Sequence, residues 1–168
     1  FDGLSTQNLD SISSWSDGYS TSVNADEQVI VYEKITDRAG NVTYINNQEG
    51  VIADNTSPTA PEIKITAAEP AQGIYNASVP FTIDVTDPEN GGTYAGLKEV
   101  SYEITNNGKV TQSGNYNSDL SDPTARVHNI HRSETVNAEL NNSNHVTIKV
   151  KAVDYAGNQS EATLIVSL

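Results

Sequence analysis

The run His145–Val153 (HVTIKVKAV) leaves the chain few structural choices. Val146, Ile148, Val150 and Ala152 occupy alternate positions, with Thr147, Lys149 and Lys151 between them. A period of two puts the two sets on opposite faces of a strand and makes no continuous stripe on a helix. Such a strand needs neighbours for its backbone and an opposing apolar layer for one face. A second run, Ser160–Leu168 (SEATLIVSL), follows closely, so the pair reads as a hairpin. Its turn is explicable residue by residue. Asp154 can accept backbone amides a few positions on, and Gly157 can take the positive φ of a tight hairpin loop.

The turn Asp154-Tyr-Ala-Gly-Asn158 has an earlier twin, Asp37-Arg-Ala-Gly-Asn41, 117 positions upstream. That spacing is too long for a small solenoid repeat and fits one whole domain. Asp37, Gly40, Asn41, Asp154, Gly157 and Asn158 are therefore assigned as structural turn residues. Shifted by the same distance, Tyr19, Thr21 and Val23 lie over Val136, Ala138 and Leu140, which predicts an alternating apolar face in both copies. Val29 and Val31 lie over Val146 and Ile148. Glu33 falls where Val150 sits and breaks that face, as at a strand end near solvent.

Between the copies, Pro58 and Pro61 push the residues before them toward extended backbone. The stretch reads as a short, stiff connector, dividing the chain into residues 1–56 and 57–168. Beyond it, strands are predicted at Glu62–Ala67, Val79–Asp87, Leu97–Thr105 and Lys109–Gly114, with Asn106-Asn107-Gly108 as a hairpin turn. About seven short strands and no sustained helical period predict an all-β fold, an antiparallel β-sandwich over 57–168. By the same offset, residues 1–56 cover only the second half of such a sandwich. Tyr19, Thr21, Val23, Val29 and Val31 would then stay uncovered unless strands from outside the chain complete them. A start at Phe1 fits an excerpt of a longer protein.

The chain has 168 residues, a net charge of −13 and a pI near 4.3. Such a surface repels phosphate backbones, so nucleic acid is not an expected partner. The absence of cysteine excludes disulfide scaffolds, thiol catalysis and cysteine-based zinc sites. Neither a membrane-length apolar run nor a signal pattern is present, and no membrane insertion is expected. His128 and His131 lack the i, i+4 helical spacing of a zinc protease, and no catalytic triad or phosphate loop stands out, so no catalytic residues are assigned. Calcium is the one ion the acidic clusters could take, through Asp54, Asp84, Asp87 and Glu89. Asp54 and Asn55 could meet the Asp37 or Asp87 loop if these share a pole. No EF-hand spacing is present, and the competing reading is solvated surface and Asx turns, so no cofactor is required. Trp15 and Tyr102 are read as core aromatics rather than glycan platforms.

The segments Lys34–Ile63 (KITDRAGNVTYINNQEGVIADNTSPTAPEI) and Lys149–Val166 (KVKAVDYAGNQSEATLIV) resemble bacterial immunoglobulin-like repeats. In those repeats the Asp-x-Ala-Gly-Asn turn joins the last two strands. A Thr/Pro-rich segment opens the next repeat. The resemblance implies an immunoglobulin-like fold and a modular, non-enzymatic stalk of a large secreted or cell-surface protein, with Gram-positive bacteria favoured. The parent protein would be the partner, its strands completing residues 1–56. The alternative is an adhesin or accessory module of a secreted hydrolase, binding a glycan or host protein through loops at one pole.

Overall fold

The computed structural model describes residues 3–18, 20–141 and 145–168. Alternation of apolar and polar residues builds nearly all of it as strands. The first part holds a one-turn helix α1 (Thr6–Asp10) and strands β1 (Glu27–Val29), β2 (Tyr32–Thr36), β3 (Val42–Asn46) and β4 (Val51–Ala53). The second holds β5 (Glu62–Ile65), β6 (Val79–Thr86), β7 (Leu97–Asn106), β8 (Lys109–Asn115), β9 (Asn129–Val136), β10 (Val146–Asp154) and β11 (Gln159–Val166).

The second part is an antiparallel sandwich. One sheet has the order β5-β6-β9, the other β11-β10-β7-β8. β10 lies between β7 and β11, so its backbone is paired along both edges. Its alternate residues Val146, Ile148, Val150 and Ala152 are fully buried. Val79, Phe81, Ile83 and Val85 of β6 form the corresponding inward row of the opposite sheet. Each large apolar side chain buried in this way contributes roughly 1.5–3 kcal/mol. Tyr102 stands in the core edge-on to Phe81, with ring centroids 6.1 Å apart. The hydroxyls of Tyr102 and Tyr116 both donate to the Glu134 carboxylate, at 2.9 and 2.7 Å. Burial first, then that carboxylate, pushes Tyr102 up to about 12 and raises Tyr116 as well. The hairpin between β7 and β8 turns at Asn107 and Gly108, both at positive φ, the geometry an Asn-Gly turn favours.

One strand expectation fails. The alternation was predicted to run through Ala138 and Leu140, but β9 stops at Val136 and Leu140 is 52 % exposed. The reason is local. The Asn137 side chain accepts the Glu139 amide at 2.8 Å, an Asx turn that competes with the ladder. Asn141 is buried and donates to the Asn137 carbonyl at 3.0 Å, closing that turn.

The first part is thinner. β1 pairs with β4 and β2 with β3, as two separate two-stranded sheets. Ser5 caps α1 by accepting the Asn8 amide, and Leu9 is the buried apolar residue there. Thr21 and Val23 lie in no strand, contrary to expectation, and Tyr19 falls outside the described residues. Trp15 is also not a core residue. It is half-buried and stacks on Tyr44 with centroids 5.7 Å apart. Ile35 and Ile45 lie on one side of the β2–β3 hairpin, Val42 on the other and Val51 on β4, and all four are 38–47 % exposed, so neither sheet is covered by a full opposing layer.

Gly114 of β8 tests the packing directly. A Cβ there would lie 2.5 Å from the ring of Tyr102, which the core and Glu134 hold in place. Gly114→Ala is expected to cost about 1–3 kcal/mol by overpacking, read as a lower urea midpoint with unchanged slope.

Candidate functional site

The two inward rows do not end in apolar residues. On β6 the alternation Val79, Phe81, Ile83, Val85 continues to Asp87, and on β10 Val146, Ile148, Val150, Ala152 continues to Asp154. Both aspartates are fully buried. Because the rows face each other, their ends meet at one pole of the sandwich. The connector crosses that pole and adds Asp54, which is 8 % exposed. One carboxylate oxygen from each of the three lies within 4.8 Å of the others.

The surrounding loops are hung on these carboxylates. Asp87 Oδ2 accepts the Gly96 amide at 2.7 Å, and Asp54 Oδ2 accepts the Ala95 amide at 2.6 Å. Asp54 Oδ1 accepts the Thr56 amide at 2.9 Å. Asp154 accepts the Asn158 amide and side-chain Nδ2, each at 2.8 Å. Asn158 Nδ2 also donates to the Asp54 carbonyl at 3.1 Å, tying the turn to the connector. Asp87 Oδ1 is buried with no hydrogen-bond partner. Burial pushes Asp87 up to about 6, against the Gly96 bond that lowers it, and the charges of Asp54 and Asp154 add to the rise.

The twin turns share one conformation and differ in setting. Gly40 and Gly157 have φ of 91° and 94°, and each aspartate amide donates to the asparagine carbonyl four residues on at 3.0 Å. Asp37 is exposed, and its Asn41 bonds lower its pKa. For Asp154 burial outweighs the same bonds and raises it.

Of the acidic residues named from the sequence, Asp54 and Asp87 come together, but Asp84 and Glu89 do not join them. Asp84 lies opposite His131 on the neighbouring strand and pairs with its Nδ1 at 2.6 Å. Glu89 is exposed in the loop after β6. Asn55 lies beside the site, its amide held by Asp26 Oδ1 at 2.9 Å. The turn brought to Asp54 is that of Asp154, not Asp37. His128 packs against Tyr94 with the rings tilted by 31° and does not join His131, and neither belongs to a cluster of three ligand-type residues among those described.

Sequence reasoning missed Asp154 as a member of the cluster, although extending the strand alternation by one step would have found it. It also missed Asp26. Besides Asn55, that carboxylate takes the Thr56 hydroxyl at 3.2 Å and Asn90 Nδ2 at 2.9 Å, bridging the first part, connector and sandwich. No pattern around Asp26 announces this.

The different settings of the twin turns have a measurable consequence. Asn158→Ala removes donors to both Asp154 and the connector and is expected to destabilise the chain by about 1–3 kcal/mol. Asn41→Ala loses only bonds within its own exposed turn and is expected to leave the unfolding midpoint almost unchanged. Equal losses would mean that the connector bond contributes nothing.

No curated protein and no solved structure matches the chain. The bacterial Ig-like domain family matches it twice, at residues 6–55 and at 70–166. The second match spans most of the sandwich and both inward rows, and the first covers the thinner part with the earlier turn. By sequence and by its antiparallel two-sheet architecture, this chain is a member of the bacterial Ig-like domain family, a family of non-catalytic modules.

Proposed function

We propose that the chain is a spacer module of a large bacterial secreted or surface-anchored protein, holding another domain at a set distance. The packed connector is the observation that carries this reading. Pro58 and Pro61 are buried, and their rings fix φ. The Thr59 amide donates to the Thr86 carbonyl at 2.7 Å, and Ser160 Oγ donates to the Thr59 carbonyl at 2.9 Å. Asp26 ties the preceding part to the same pole. A linker bonded on both sides holds its neighbours at a defined angle, unlike a Gly/Ser coil.

The family membership supports a site of action outside the cell, and the Gram-positive setting belongs to the same proposal. No helix among the described residues is long and apolar enough to cross a membrane. The aromatic pair Trp15 and Tyr44 is turned on itself, with Lys34 Nζ 5.8 Å from the Trp15 ring, which favours the spacer over a glycan-binding adhesin. The exposure of Ile35, Val42, Ile45 and Val51 on these two small sheets supports a further element of the proposal, that strands of the parent protein complete residues 1–56.

Residual dipolar couplings test the fixed joint. Amides of β2 and β3 should fit the same alignment tensor as those of β6 and β10, whereas two independent tensors would overturn the spacer reading. Amide hydrogen exchange tests the completing strands. In the isolated monomer, β2 should exchange at least about a hundredfold faster than β10. Equal protection would show that the first part closes its own core.

A further inference from the structure

We propose that Asp54, Asp87 and Asp154 together bind one calcium ion, which pins the connector to the pole of the sandwich. Three carboxylates, each more than nine-tenths buried, present oxygens within 4.8 Å of one another. Like charges so placed repel strongly in a low dielectric. The four ion pairs among the described residues all lie elsewhere, so no lysine or arginine pairs with the cluster. Buried charges are ordinarily paired or bound to metal. Asp87 Oδ1, fully buried and without a hydrogen-bond partner, points to a ligand independently of the clustering.

The donor set selects the ion. The three side chains offer only carboxylate oxygens, and the chain has no cysteine, so a hard cation fits and zinc does not. Calcium takes six to eight oxygens in irregular geometry, with carboxylates binding through one oxygen or two, and water can complete the shell. Magnesium demands a near-ideal octahedron and keeps most of its water, which a buried pole crossed by the connector does not favour. Asp54 comes from the connector and the other two from opposite sheets, so the bound ion would cross-link three separate chain segments.

Calcium and magnesium titrations of the full 168-residue chain after chelation, followed by calorimetry and thermal melting, test the site. One calcium should bind per chain. At a calcium concentration 100-fold above its Kd the melting temperature should rise by about 5–10 °C. Magnesium at the same concentration should give less than half that rise. Asp87→Asn keeps the acceptor for Gly96 and should abolish the calcium response, and Asp54→Asn should do the same from the connector side. Asp84→Asn and Glu89→Gln should retain it. The proposal is overturned if calcium gives neither heat nor a melting shift, if magnesium matches it, or if Asp54→Asn binds like the unaltered chain. Calorimetry on the unaltered chain decides the question even where a variant fails to fold. Failure of calcium to bind leaves the spacer reading standing, since the alignment tensors test the joint by itself.

Discussion

Two facing rows of side chains determine most of this molecule. One row runs down β6 and the other down β10, and strand periodicity obliges every second residue of each to point between the sheets. Where those residues are Val, Ile, Phe and Ala they make the core. At the next step of each row the residue is aspartate, and the same geometry that buries valine buries a carboxylate. The loops at that pole are organised around this fact. Their backbone amides find acceptors in Asp87, Asp154 and Asp54, so the groups that would otherwise be stranded on leaving the sheets are satisfied by charge-assisted bonds.

The price of this arrangement is electrostatic. A carboxylate that accepts amides is stabilised as an anion, but three of them buried together are not. The contrast between Asp37 and Asp154 isolates the two effects. The two turns share the asparagine amide and side-chain bonds to the aspartate, yet the two groups shift in opposite directions, because one turn faces solvent and the other lies beneath the connector. Local sequence sets the bonds. Tertiary placement sets the charge.

The sandwich was legible because alternation is a strong signal and each strand carried it: β6, β7, β8, β10 and β11 begin and end within a residue or two of where the pattern places them. The twin turns were legible for a similar reason, since Asp, Gly and Asn each have a specific task there. What could not be read were features made by side chains competing with the ladder or meeting at long range. Asn137 ends β9 by bonding its own backbone, which hydrophobic periodicity does not register. The union of Asp54, Asp87 and Asp154 depends on which pole the connector crosses, and acidic composition near the loops favoured Asp84 and Glu89 equally. Trp15 misled because a lone tryptophan beside presumed strands resembles a core residue, whereas no strand forms there.

The joint between the two parts is built from unlike surfaces. The trailing end of one unit supplies Asp54, and the leading pole of the next supplies Asp87 and Asp154. Such a contact is heterologous, and repeating it generates a directional series instead of a closed pair. The Asp37 turn corresponds by position to the Asp154 turn but is exposed to solvent, with no connector packed over it. A row of these units therefore has polarity, and its successive angles add.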